Sequence, residues 1–434
     1  MSKLNRFMRV GAVLTLACTA ILYFVGSVAT AAAAAYRYLL PERDRVPTYA
    51  LGANTLTGMI PTLYEALNIV SREMVGFISA VRRDSNAERA ALNQTVTVPL
   101  AEAGAVEDIT PGQLPANTGD TTVVPVNITI TKSKAAPVRW NGEEVRGINS
   151  AGVFNQVLAD QFADAMRKLT NLVEIDCAVA AKIAASRAFG TAGTTPFATS
   201  GDLSDASQVA RILDDNGAPV GTRQLVLNSA AMANLRGKMA NLFRANEAGT
   251  AELLRTGYLS DPLQGFALRY SGGIQLHTKG TGSGYLVNSA SANVGTVTIP
   301  VDTGTGTIVQ GDILTIAADT ANKYVAHVAL AGGNVGIGKP GLMAAWADNA
   351  AITVGNNYTP NFAFSRNAIV LATRAPALPP GGDSADDSMM LTDPVSGLTF
   401  EVRVYRQYRQ VKYEVCLAWG VNGIKPEHVA ILLG

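Results

Sequence analysis

Three histidines, His277, His327 and His428, are the side chains best suited to proton transfer or metal ligation at neutral pH. None has a Glu, Cys or His at ligand spacing, so each is expected to be structural or at the surface. The cysteines Cys18, Cys177 and Cys416 form no CxxC pair and are expected to be free thiols. Gly336-Ile337-Gly338-Lys339-Pro340-Gly341 formally matches the dinucleotide-binding GxGxxG pattern. Pro340 falls inside the turn, however, and no acidic residue follows at ribose-binding distance. A glycine-rich turn is the expectation. Asp383, Asp386 and Asp387 form an acidic loop, read as a solvated segment rather than a cation site. Arg403-Val404-Tyr405-Arg406-Gln407-Tyr408-Arg409 interleaves cations with aromatics, a pattern suited to nucleic acid but equally to a strand with one solvated face. There is no phosphate loop and no nucleophile elbow. The sequence therefore assigns no catalytic, cofactor-binding or metal residue, and no cofactor.

The elements around these residues are more informative. Apolar residues recur at helical spacing through Phe154, Leu158, Phe162, Met166, Leu169, Val173, Val179 and Ile183. With Asn149 or Ser150 as N-cap and Gly190 as the stop, they predict a helix over 150–189, roughly 60 Å long. Asp160, Asp164, Arg167, Lys168 and Glu174 exclude a membrane span there. The Phe154-Leu158-Phe162-Met166 stripe is expected to pack on the C-terminal sheet near Cys416. The Asp160-Asp164-Arg167 side is expected to face the interior of an assembly or a neighbouring subunit. A rod of this length suits an extended subunit better than a compact enzyme.

Ahead of it, Thr95–Val98 and Thr122–Thr131 alternate as two strands around a Gly/Pro/Asp-rich excursion, 102–120. This is an extended hairpin that needs a neighbour to lie on. Pro61 opens a short helix with Leu63, Ala66, Leu67, Val70 and Met74 on one side, and 84–93 is read as a polar arm or hinge. After the long helix come helices near 205–214, 229–243 and 247–256 and a strand at 223–227. Charge then nearly vanishes over 272–358, where short alternating strands predict a separate β domain of barrel or sandwich type. The segments 361–375 and 396–434 return to the α/β body.

The 434-residue chain is 48% hydrophobic and only 16% charged, with a formal net charge of +1. That argues against a generally basic nucleic-acid-binding surface and suits a subunit that packs against copies of itself. Residues 1–35 read as an export signal or single membrane anchor, with Lys3, Arg6 and Arg9 ahead of an apolar, alanine-rich run. The sequons at Asn93, Asn127 and Asn357 are short matches that occur by chance.

The order of these parts resembles the major capsid protein of tailed double-stranded DNA phages, the Hong Kong ninety-seven type fold, in the branch with an inserted β-barrel domain. The likeness rests on 53–57 (Ala-Asn-Thr-Leu-Thr), 60–67, Gln94-Thr95-Val96-Thr97-Val98-Pro99, Gly311-Asp312-Ile313-Leu314-Thr315-Ile316-Ala317, and Trp419-Gly420-Val421-Asn422 with Lys425-Pro426-Glu427. It covers about 53–434.

The resemblance implies an α+β fold. Its parts are a leader or extension at 1–52, an N-terminal arm at 53–93 and an E-loop hairpin at 94–140. A peripheral domain with the spine helix takes 141–190 and 396–434, an axial domain 191–275 and 359–395, and an inserted β domain 276–358. It also implies a non-enzymatic structural subunit. Hexamers and pentamers would close an icosahedral shell around phage DNA, with a scaffolding protein and a portal as partners and no small-molecule substrate. The location implied is the virion, and the host cytoplasm during assembly. Because the likeness starts near Ala53, residues 1–52 are expected to be an upstream extension. The alternatives are an exported or membrane-anchored β-rich surface protein and an encapsulin-like compartment.

Overall fold

The computed structural model describes residues 63, 75–101, 111, 123–149, 154–238, 263–289, 292–393 and 396–434. The leader, most of the predicted helix after Pro61, nearly all of the hairpin tip and the segment 239–262 lie outside the described residues.

The long helix is real but shorter than its sequence suggests. A first short helix, α1 (Gly76–Ala80), and a second, α2 (Gly142–Asn149), precede the spine, α3 (Phe154–Ala184), which has 31 residues and is about 46 Å long. Residues 185–189 leave the helix. Ser186 donates both its backbone N–H and its hydroxyl to Val429 O, at 3.0 and 2.9 Å. The next three residues form strand β5 (Arg187–Phe189). Sheet pairing thus overrides the local helical pattern, and Gly190, with φ +97°, ends a strand rather than a helix.

The spine buries Leu158, Phe162, Met166, Leu169, Val173, Cys177 and Ala181. This stripe packs on a six-stranded sheet. Along the chain its strands are β1 (Arg82–Ala90), β4 (Lys132–Asn141), β15 (Ile369–Pro376), β16 (Asp387–Thr392), β17 (Thr399–Gln407) and β18 (Gln410–Gly423). Their order is β1-β15-β18-β17-β16, with β4 also on β18. Phe162 meets Tyr413 edge-on at 5.5 Å, and Leu417, Trp419 and Val415 complete the contact. Each such side chain contributes roughly 1.5–3 kcal/mol on full burial. Asp160 and Asp164 are exposed, and Arg167 is half-buried. Val179, read as part of the buried stripe, is instead 40% exposed.

The segment 84–93, expected as an arm or hinge, is largely strand β1, paired in parallel with β15 and bulged between Ser85 and Arg89. Its polar residues are held from the side. Arg374 pairs with Asp84 at 2.9 Å, and Arg89 with the buried Glu401 at 2.6 Å.

On the opposite face of this sheet sits the two-stranded hairpin β2 (Thr95–Ala101) and β3 (Val123–Thr129), paired only with each other. Val98, Ile128 and Ile130 pack on Val370, Ala372 and Ala418. Thr95, Thr97, Pro99, Pro125, Asn127 and Thr129 face away and are exposed. Gly420 makes the seat possible, because any Cβ there would collide with Thr129 O.

A second, eleven-stranded sheet runs through the rest. Helices α4 (Ser204–Asp215) and α5 (Ser229–Lys238) cover one part of it. Its strands there are β6 (Arg223–Leu227), β7 (Ala267–Tyr270), β14 (Pro360–Ser365) and β19 (Val429–Leu433). Strand β5 pairs in parallel with β19 and antiparallel with β11 (Lys323–Ala331). Through that junction the sheet continues into β8 (Leu286–Val287), β9 (Thr298–Asp302), β10 (Ile313–Ile316), β12 (Asn334–Ile337) and β13 (Ile352–Val354). These strands enclose their own core around Tyr324, Trp346, Ile299 and Leu342. Strands β15 and β16, grouped by sequence with 359–395, pair with β18 and β17, and β19 pairs with β14.

Candidate assembly surface

The residues flagged in the sequence do not converge on one site. His277 and His327 both reach the C-terminal end of the spine. His327 Nδ1 lies 2.8 Å from Ile183 O, where an N–H donates to a free helix-end carbonyl. His277 is buried against the ring of Tyr358 at 5.1 Å. Its Nε2 lies 2.9 Å from Asp312 Oδ1, and its Nδ1 lies 3.2 Å from Lys182 Nζ. Asp312 also accepts the backbone N–H groups of Gly280 and Val309. This Lys182–His277–Asp312 chain joins the spine to the turn before β10. Sequence reading missed it because its members are 35 and 95 residues apart. Burial lowers the proton affinity of Lys182, and the Asp312 charge opposes that. His428 stands apart, its imidazole pKa lowered mainly by burial.

The acidic loop and the basic-aromatic strand find each other. Asp383 accepts from Arg403 at 2.5 Å and from Tyr405 Oη at 2.7 Å, and Asp386 pairs with Arg406 at 2.8 Å. Mutual neutralisation leaves Tyr408, 88% exposed, and Arg409 on the β17–β18 turn. The glycine-rich match runs from β12 into a turn with a cis Lys339–Pro340 bond and Gly341 at φ +92°; no helix follows to receive a phosphate. Cys177 and Cys416 are free and buried, and burial pushes the Cys416 thiol up to about 12, with Glu414 and Glu401 adding to it. Among the described residues no group of three His, Cys, Asp or Glu lies close enough to hold a metal ion. No helix among them is long and apolar enough to cross a membrane.

What the geometry offers instead is surface. The outer face of the β2–β3 hairpin is a flat array of Thr, Pro and Asn without charge. Beside its base a cleft of about 630 Å³ is walled by Val126, Val297, Val328 and Ile337, with Lys339, Lys425 and Glu427 at its polar side. Asn127 O accepts from Asn422 Nδ2 at 3.3 Å, and Thr131 N donates to Trp419 O at 3.1 Å. The hairpin is therefore anchored at one end and presents its far side outward.

No protein-family model matches the chain, and no curated protein matches it. Among solved structures, the chain is similar to one from Mycobacterium phage Che8, at 14% identity over 78% of this chain and 84% of that chain, with a TM-score of 0.40. It is similar to the capsid of cyanophage P-SCSP1u, at 11% identity over 83% and 88% of the two chains and a TM-score of 0.43. A virus-like particle from Pyrococcus furiosus aligns at 10% identity over 86% of this chain and 96% of that chain, with a TM-score of 0.39.

Proposed function

We propose that this chain is a non-enzymatic shell subunit, the major capsid protein of a tailed-phage-type icosahedral particle. The observation that carries the reading is the β2–β3 hairpin. Its inner face is seated on the six-stranded sheet, and its outer, uncharged face is left for a neighbour. In this reading the hairpin is the E-loop, lying across an adjacent subunit. The α3 helix and six-stranded sheet form the peripheral domain, and β6, β7, β14 and β19 with α4 and α5 form the axial domain. The β8–β13 unit is the insertion. Contacts of this kind are broad, repeated by symmetry and poor in charge. Packaged DNA, a scaffolding protein and a portal are the partners that the reading brings, and host cytoplasm is where assembly takes place.

The test is expression of the full chain with its flanking genes, followed by electron microscopy of the particles. Closed shells or capsomers support the reading. Soluble monomers under conditions where the chain is folded refute it. Protein cargo rather than DNA inside closed shells would move the assignment to a storage compartment.

A further inference from the structure

His277 and Tyr358 stand where the chain enters and leaves the β8–β13 unit, and they form its neck. His277 N donates to Tyr358 O at 2.8 Å, and Tyr358 N to His277 O at 3.3 Å. Both side chains are buried, with their rings 5.1 Å apart. Lys182 of the spine and Asp312 of the inserted unit close on the two ring nitrogens of His277, at 3.2 and 2.9 Å. The Tyr358 hydroxyl donates to Gly311 O at 2.6 Å. The Lys182 stem lies over Gly311, where an added Cβ would stand 3.1 Å from Lys182 Cδ and Cε. One imidazole thus bridges the end of α3 and the inserted unit.

The ends of this chain fix where its hydrogens lie. Lysine is in general a stronger base than imidazole by about four pKa units. Burial loosens the Lys182 proton and the Asp312 charge holds it. Lys182 is therefore an ammonium with donors only, and His277 Nδ1 accepts from it. The imidazole is then neutral, and its Nε2–H donates to Asp312 Oδ1. Asp312 also accepts Gly280 N at both oxygens and Val309 N at Oδ2. Those bonds fix it in place, so it cannot turn to follow Lys182. A further proton on the imidazole can enter only at Nδ1, the atom that faces Lys182. Two donors would then oppose each other at 3.2 Å, and two positive charges would meet in a buried site. His277 keeps its bond to Asp312 as an ion pair, so the contact that gives way is the one to Lys182.

We propose that Lys182, His277 and Asp312 form an acid-released joint: protonation of His277 at Nδ1 expels Lys182 and frees the neck of the β8–β13 unit from the end of the spine. The direction follows from linkage. The closed joint holds one proton fewer on His277 than the open one, so opening is favoured as pH falls. Among the described residues, the titratable groups in contact with His277 are Lys182 from α3, Asp312 from the turn before β10 and Tyr358 from the segment before β14. Burial raises the Tyr358 hydroxyl pKa further, so that group stays neutral throughout. Two other imidazoles lie near this end of the spine. His327 holds Ile183 O, and His428 precedes Val429, whose carbonyl accepts from Ser186. The joint belongs to the single subunit and stands whether or not the chain forms shells.

Hydrogen exchange of the full-length protein at about pH 7.5 and about pH 5, corrected for the intrinsic pH dependence of amide exchange, tests this. In the wild type, protection over the last turn of α3 and over 274–279 should fall about tenfold or more on acidification, as for the loss of one hydrogen bond to a charged group. Strands β15 and β18 should keep theirs. His277→Gln can still accept from Lys182 and donate to Asp312 but takes up no proton, and it should lose the acid response. Lys182→Met, at a half-buried site, removes the opposing charge and should lose the response too; it decides the matter where His277→Gln does not fold. His327→Gln and His428→Gln should retain the response. No acid response in the wild type overturns the joint, as does a response that persists in Lys182→Met or His277→Gln. A response that disappears in His327→Gln or His428→Gln also overturns it, assigning the titration to that imidazole instead.

Discussion

Glu174 is the residue whose removal most directly tests how the spine holds its neighbours. It lies mid-helix and is only 3% exposed. Its Oε1 accepts Phe77 N at 2.7 Å and the Ser271 hydroxyl at 2.6 Å, and its Oε2 accepts Ile78 N at 3.1 Å. One carboxylate therefore ties α1 and the end of β7 to α3. Glu174→Ala leaves three buried donors without an acceptor, at roughly 1–3 kcal/mol each. Release of the buried charge offsets part of this, so a net loss of about 3–5 kcal/mol is expected from the three unsatisfied donors. Glu174→Gln keeps one oxygen but turns an NH2 toward a backbone N–H, and should cost about 1–3 kcal/mol.

The pH dependence gives the sharper assay. Burial raises the Glu174 pKa above its ordinary value, with the Ser271, Phe77 and Ile78 hydrogen bonds opposing it. The folded state then binds this proton more tightly than the unfolded state does. Its contribution to stability is complete below the unfolded carboxylate pKa and is lost as pH rises through the folded value. Urea unfolding across the acidic to neutral range should show wild-type stability falling in that window, and the Gln variant lacking that component. The gap between the two proteins should therefore narrow as pH rises. A gap that stays constant or widens refutes the assignment of a raised Glu174 pKa.

Other consequences follow from single contacts. Asp312→Asn replaces a buried acceptor of three N–H donors and should cost about 3–5 kcal/mol. Hydrogen exchange should then rise over β10 and the C-terminal turn of the spine before it rises elsewhere. Phe162→Ala, which empties a fully buried site against Tyr413, should cost about 3–5 kcal/mol by denaturant titration, and Phe162→Asp should abolish folding. Gly420→Val should unseat the hairpin by driving a side chain into Thr129 O. Sedimentation should show a folded subunit that no longer assembles, and normal particles from this variant would refute the role given to the hairpin.

The spine, the hairpin and strands 223–227 and 313–316 were legible because each carries a strong local period: β6 falls on 223–227 and β10 on 313–316. What escaped was decided by partners far away in the chain. Residues 187–189 look helical in sequence, yet three strands' worth of backbone donors and acceptors, from β5, β11 and β19, are satisfied only if they extend. Glu174 reads as a polar-face residue until Phe77, Ile78 and Ser271 are brought to it across 96 and more positions. A local signal was available and unread at α2, where Asn141 and Glu144 form a reciprocal capping box, with Glu144 N donating to Asn141 Oδ1 at 2.8 Å and Asn141 N to Glu144 Oε2 at 3.0 Å. The basic-aromatic strand and the acidic loop were each legible as motifs, but their meaning reversed once paired, since charges that cancel one another are not free for a ligand.

That reversal bears on where an anion would bind. A reading by composition picks Arg403–Arg409, the densest run of cations and aromatics. The fold pairs Arg403 with Asp383 and Arg406 with Asp386. Local density of charge is thus a poor guide in a chain this sparse in charge.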